Sequence, residues 1–98
     1  AEIAADFCLL ARGDSMIGAR IYDGDAVFIR SQPMVENGEI AAVIIDDEAT
    51  LKRVYYDREH ARLQLVPENP AYSPLVYVGE ELDNIRILGK AVGFMSIF

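Results

Sequence analysis

The sequence predicts an all-β fold, mainly antiparallel, and three observations carry that expectation. Glycine, proline, Asn and Asp punctuate the chain at short intervals, and β-branched and aromatic residues fill the stretches between them. No stretch of helix length holds apolar residues at the three-to-four spacing of an amphipathic helix. Short connections without crossover helices argue against a parallel α/β sheet. A small antiparallel assembly, folded over itself or partly closed, is the natural product.

Taken in order, the first strand is expected over Asp6–Ala11 and ends at Gly13. Ser15–Arg20 fits a single helical turn capped by Asp14 or Ser15, whose side-chain oxygens can accept the free N–H groups of a helix start. Asp23-Gly24-Asp25 turns into a strand at Ala26–Arg30, and Pro33 with Asn37-Gly38 marks the next loop. The apolar strand Glu39–Ile45 passes through Asp46-Asp47-Glu48 into Ala49–Tyr56, which makes a hairpin. His60–Val66 is its next neighbour, with Ala61, Leu63 and Leu65 alternating, and Pro67-Glu68-Asn69-Pro70 stops it. Two closing strands, Ile85–Leu88 and Ala91–Ile97, are separated by Gly89 and Lys90.

With 98 residues and 52% apolar content, the chain makes one domain, residues 1–98, around a single core. Its longest apolar run, Ile40–Ile45, falls far short of the ~20 residues that span a bilayer as a helix. No secretory leader pattern is present, so a soluble, cytoplasmic domain without a membrane partner is expected. Cys8, the single cysteine, lies in an apolar run and reads as a buried, reduced thiol. One cysteine and one histidine are too few for a structural zinc site, and no cofactor is implied. The formal charge of −7, from 9 basic and 16 acidic residues, repels phosphate backbones. DNA contact by this domain itself is therefore not expected. The chain starts at Ala1 rather than methionine, which reads as a piece of something longer.

The chemistry concentrates on two residues. Ser15 follows a glycine turn in Gly13-Asp14-Ser15-Met16, and Lys52 comes 37 positions later in a strand-like run. A serine hydroxyl is a weak nucleophile at neutral pH and needs a base within hydrogen-bond reach. The only histidine, His60, sits among Arg58, Glu59, Ala61 and Arg62 and reads as a solvated turn residue, so a Ser-His-Asp triad is unattractive. Lysine can serve when neutral, and burial in apolar surroundings lowers its pKa by as much as ~3–5 units. Alternation puts Thr50, Lys52, Val54 and Tyr56 on one face of their strand and Leu51, Arg53 and Tyr55 on the other. Thr50 then shares a face with Lys52 and can orient its amine. From the residues alone two readings stay open: a nucleophile with its base, or an ordinary turn serine and a surface lysine.

The order of the motifs adds to this. Gly13-Asp14-Ser15-Met16, Asp23-Gly24-Asp25, Asn37-Gly38-Glu39, Thr50-Leu51-Lys52-Arg53, Pro67-Glu68-Asn69-Pro70 and Gly89-Lys90-Ala91-Val92-Gly93 follow one another from Phe7 almost to the end. In that order the chain resembles the C-terminal domain of the LexA-type and lambda-type repressors, which also occurs in UmuD-like mutagenesis proteins. Singly each motif is weak; together they form a specific signal.

The resemblance implies a compact, strongly bent and partly closed β fold with at most short helical turns. It also implies self-cleavage by a Ser-Lys dyad. Neutral Lys52 takes the proton of Ser15, whose oxygen attacks an alanine-glycine or similar bond in the parent chain's own N-terminal linker. Backbone N–H groups near Asp14 and Ser15 hold the oxyanion, Met16 completes the serine motif, and Thr50 contacts the lysine. The implied partners are a second copy as homodimer and a RecA filament as co-protease in the SOS response to DNA damage. DNA would be met only through a separate N-terminal domain. No Ala-Gly dipeptide occurs here and only 14 residues precede Ser15, so the linker is expected to be absent from this chain, and with it the DNA-binding domain, which fits the acidic charge.

A catalytically silent dimerisation module of a phage repressor and a UmuD-like polymerase accessory protein stand as alternatives. A signal peptidase with the same chemistry lacks its anchor. Arg12-Gly13-Asp14 spells an adhesion tripeptide by coincidence, and the acidic turns lack the spaced ligands of a calcium loop. The apolar terminal segment from Val92 reads as core or as a self-complementary dimer contact.

Overall fold

The computed structural model describes residues 4–96. Seven strands, β1 (Phe7–Leu10), β2 (Ala26–Ser31), β3 (Ile40–Ile45), β4 (Glu48–Asp57), β5 (Arg62–Val66), β6 (Leu75–Val78) and β7 (Ile85–Met95), form one sheet. Its order is β1-β2-β7-β3-β4-β5-β6, with every neighbouring pair antiparallel. The all-β expectation holds, and among the described residues helix is confined to two short 3₁₀ turns, Ile17–Ala19 and Gly79–Asn84.

The middle of the sheet is buried on both faces. Adjacent residues Ala41 and Ala42 of β3 are fully buried yet belong to different core clusters. One cluster gathers Met16, Ile21, Val27, Ile29, Ala42 and Leu51; the other gathers Val35, Ala41, Val43, Val54, Leu63 and Leu65. Successive side chains of a strand point to opposite faces, so both faces of the central strands are covered. The expected single core is thus two clusters divided by the sheet.

β7 replaces the two closing strands expected from the sequence. It runs unbroken for 11 residues and absorbs an extra residue at each of two bulges, Leu88 against β3 and Val92 against β2. Bulges bend a strand and raise its twist, which lets one strand serve two neighbours in different directions. Gly89 therefore separates nothing. It is buried where β2 and β3 flank β7, and an added Cβ would overlap the Arg30 carbonyl. The expected strand end at Ile97 lies outside the described residues.

Other boundaries moved for local reasons. Asp46 and Asp47 take φ of 46° and 72°, so the β3–β4 hairpin closes on two residues and Glu48 already belongs to β4. The 3₁₀ turn starts after Met16 with no side-chain cap, so neither Asp14 nor Ser15 caps it. β6 is a strand the sequence pattern does not mark; Leu75-Val76-Tyr77-Val78 is four residues without alternation, and it pairs as an exposed edge on β5. Cys8 is a correction. It is exposed, because β1 is the other edge of the sheet and its alternation turns Phe7 and Leu9 toward the core instead.

Candidate active site

Ser15 stands on a loop tied down from both sides. The β1–β2 ladder continues past the strands through Ala11 N–H to the Asp25 carbonyl at 2.9 Å and Gly24 N–H to the Ala11 carbonyl at 2.8 Å. Gly13 then turns the chain with φ of 78° and donates its N–H to Asp23 Oδ1 at 2.7 Å. That φ is open to glycine and strained for other residues. Beyond Ser15, Met16 is buried in the core, and its carbonyl accepts the N–H groups of Ala19 and Ile21. The serine is thus set between a glycine turn and a core anchor.

Lys52 approaches from β4. Its backbone pairs with Ala41 of β3, and only 9% of the residue is exposed. The Nζ atom lies 3.3 Å from Ser15 Oγ, 2.8 Å from Thr50 Oγ1 and 3.0 Å from the Leu51 carbonyl oxygen. Among the described residues no carboxylate pairs with it, and the three ion pairs present use Arg53, His60 and Lys90 instead. Desolvation without a compensating anion disfavours the ammonium form, so burial pushes the Lys52 pKa below its ordinary value.

These three contacts can be made by a neutral amine as well as by an ammonium. Its two N–H groups can donate to Thr50 Oγ1 and the Leu51 carbonyl, leaving the lone pair for the Ser15 hydroxyl proton. A base must lie within hydrogen-bond reach of the proton it takes, and 3.3 Å puts Lys52 Nζ at the edge of that reach.

Of the residues singled out from the sequence, Ser15, Lys52 and Thr50 are brought together. Asp14 and Met16 take other positions. The Asp14 carboxylate points to the Tyr72 hydroxyl, which donates to Oδ1 at 2.5 Å, and Met16 packs into the core. Among the described residues, the N–H groups of Asp14 and Ser15 donate to no protein acceptor. His60 is at the β4–β5 connection, its ring nitrogen 2.6 Å from Asp57 Oδ2 and its side chain 68% exposed, as a solvated turn residue should be.

A cleft lined by β1 residues Leu9 and Leu10, by Arg12 and Ser15, and by Ala49 and Thr50 of β4 opens beside the pair. Both strands present an unpaired backbone edge there. Among the described residues β1 has no neighbour beyond β2, and β4 is joined to β5 only from Arg53 onward, leaving Glu48–Lys52 open on that side. An open strand edge accepts an extended peptide through main-chain hydrogen bonds.

The family model described as Peptidase S24-like matches residues 2–92. The chain belongs to the Peptidase S24-like family. Within it, similarity runs to proteins named LexA repressor. That of Desulforamulus reducens is 51% identical over 89 residues, 91% of this chain and 38% of the relative. That of Oleidesulfovibrio alaskensis is 49% identical over 87 residues, covering 89% and 40%, and that of Thermosipho africanus 40% over 92 residues, covering 94% and 44%. The chain thus spans about two-fifths of the length of these curated relatives. Among the described residues no helix is long and apolar enough to cross a membrane.

Sequence reasoning missed the residues that brace this peptidase-family site. Asp23, Glu68, Asn69 and Tyr72 each bond the serine loop or its flank. The signal was present in Pro67-Glu68-Asn69-Pro70, which reads as a turn because its prolines and Asn are turn formers. Its second task appears only when the turn is folded against Asp14.

Proposed function

We propose that this domain is the self-cleaving and dimerising part of a LexA-type repressor. The observation that carries the proposal is the buried Lys52 amine, 3.3 Å from the Ser15 hydroxyl and without a carboxylate partner among the described residues.

The geometry supports the following steps. Lys52 takes the Ser15 proton as the serine oxygen adds to the carbonyl of a peptide bond in the parent chain's linker. The N–H groups of Asp14 and Ser15 hold the resulting oxyanion. As the carbonyl re-forms, the C–N bond breaks and the Lys52 ammonium gives its proton to the leaving amine. Water then attacks the acyl-serine ester as Lys52 takes the water's proton, and when the ester C–O bond breaks Lys52 passes that proton to Ser15 Oγ, restoring both the hydroxyl and the neutral amine. Thr50 and the Leu51 carbonyl hold the amine so that its lone pair faces Ser15. The two open strand edges beside Ser15 support an extended linker segment as substrate.

The wider role rests on the relatives' names and on the ordered motifs. A RecA filament on single-stranded DNA promotes cleavage in the SOS response, and the protein acts in the bacterial cytoplasm. DNA is contacted by another domain of the parent protein, consistent with the −7 charge here. Phe94 and Met95, 42% and 53% exposed at the end of β7, support a homodimer contact.

The test is incubation of the full-length parent at mildly alkaline pH beside its Ser15→Ala and Lys52→Ala forms. Cleavage upstream of this domain in the wild type, and in neither variant, is the expected result. An intact wild type, with or without activated RecA, would leave a silent dimerisation module as the better reading.

A further inference from the structure

The turn at Pro67–Tyr72 touches both halves of the site. Its Glu68 carbonyl accepts the Gly18 N–H at 2.7 Å, behind the serine, and an added Cβ on Gly18 would stand 2.6 Å from that oxygen. The Glu68 carboxylate pairs at 2.5 Å with Arg53, the residue next to Lys52. Tyr72 donates to the Asp14 side chain.

Asn69 makes the contact with the most direct chemical consequence. Its Oδ1 accepts the Ala71 N–H at 2.9 Å, which fixes the orientation of the amide. Its Nδ2 then donates to the backbone carbonyl of Asp14, also at 2.9 Å, a much shorter contact than the 3.5 Å one that carbonyl accepts from the Ile17 N–H. That carbonyl belongs to the peptide unit whose N–H is Ser15's own. No cis peptide bond occurs among the described residues, so in this planar unit C=O and N–H point in opposite directions. Holding the carbonyl toward Asn69 holds the Ser15 N–H away from it, where no protein acceptor among the described residues claims it.

We infer that Asn69 is a positioning residue for the oxyanion donor: by gripping the Asp14 carbonyl it fixes the plane of the Asp14–Ser15 peptide and aims the Ser15 N–H. A hydrogen bond to the carbonyl also polarises the amide, which strengthens its N–H as a donor. Preorganised donors stabilise an oxyanion because they need no reorientation during reaction. The inference rests on the active-site reading above.

The experiment compares the full-length parent with its Asn69→Ala, Asn69→Ser and Tyr72→Phe forms. Two rates are followed against pH: self-cleavage, and Ser15 phosphonylation by a fluorophosphonate, whose transition state also needs the oxyanion donors. Serine at position 69 keeps an oxygen for the Ala71 N–H but cannot reach Asp14, so that variant decides if the alanine form fails to fold. Both position-69 variants should lose on the order of tenfold in the high-pH plateau rate, less than the ~10²–10³ of removing a donor outright. Their pH midpoint should stay at the wild-type value, since Lys52 is untouched. Tyr72→Phe, which loosens the loop without releasing the peptide, should lose less than twofold.

Unchanged plateau rates in a folded position-69 variant would overturn the inference. So would a moved midpoint with an unchanged plateau, or an equal loss in Tyr72→Phe. A wild type that neither cleaves nor reacts would sink the active-site reading together with this one, whereas the other three outcomes sink this one alone.

Discussion

Lys52 lies closer to Thr50 than to Ser15: its Nζ is 2.8 Å from Thr50 Oγ1 and 3.3 Å from Ser15 Oγ. The shorter contact is local, between residues two apart on one face of β4, and it survives wherever the strand survives. The longer one joins segments 37 residues apart and depends on the whole sheet. Thr50 therefore holds the amine ready whether or not the serine loop is in place.

Replacing Thr50 by valine keeps its shape and removes the acceptor. Parent-chain cleavage should slow by roughly tenfold as the amine loses its orientation, while Thr50→Ser should retain most of the rate. Equal rates for valine and serine at this position, measured by gel densitometry, would count against an orienting role.

The direction of the Lys52 shift fixes two pH dependences. On the proposed mechanism cleavage needs the neutral amine, so its rate should climb about tenfold per pH unit and level off at a midpoint below the ordinary lysine value of 10.5. Stability follows the same group. The unfolded chain keeps the lysine proton up to the ordinary value, whereas the folded chain releases it sooner. Between the two values the unfolded state binds more protons, so stability rises with pH. Urea titrations of wild type and Lys52→Met should diverge across that window, with the wild type gaining; parallel curves would contradict the shift.

Gly89→Ala should be among the more damaging single substitutions in the domain. The added methyl meets the Arg30 main chain, which is held in the β2–β7 ladder and cannot step aside cheaply. A loss of about 3 kcal/mol in chemical denaturation is expected, the upper range for overpacking a tight site. Gly24→Ala offers a comparison: nothing lies within 4 Å of its added Cβ, so only the strain of its φ of 88° is felt.

Cys8 should react in the native state. Its side chain lies on the exposed side of edge strand β1, so a maleimide should modify one thiol in the folded protein at a rate near that of the denatured chain. Protection by more than about a hundredfold would restore the buried thiol expected from the sequence.

Much of this was legible without a structure. Turn residues at Gly13, Asp23-Gly24, Asn37-Gly38 and Asp46-Asp47 marked the strand boundaries to within a residue or two, because φ and side-chain hydrogen bonding are local properties. The alternation in β4 put Thr50 beside Lys52, since a strand repeats every second residue whatever it packs against. Cys8 and Gly89 misled for a shared reason. An apolar neighbourhood does not tell which side of an edge strand faces the core, and a glycine does not tell whether it breaks a strand or lets another backbone pass.

The sequence by itself determined the strand-rich class, the turns, and the serine and lysine as the pair to examine. Only the tertiary structure decided that the pair meets, that Lys52 is out of water without a carboxylate partner among the described residues, and that Asn69 grips the peptide before Ser15. The reason is one of range. Backbone preference and alternation act between near neighbours, but desolvation and a contact between Asn69 and Asp14, 55 positions apart, exist only once a sheet has brought its distant strands together.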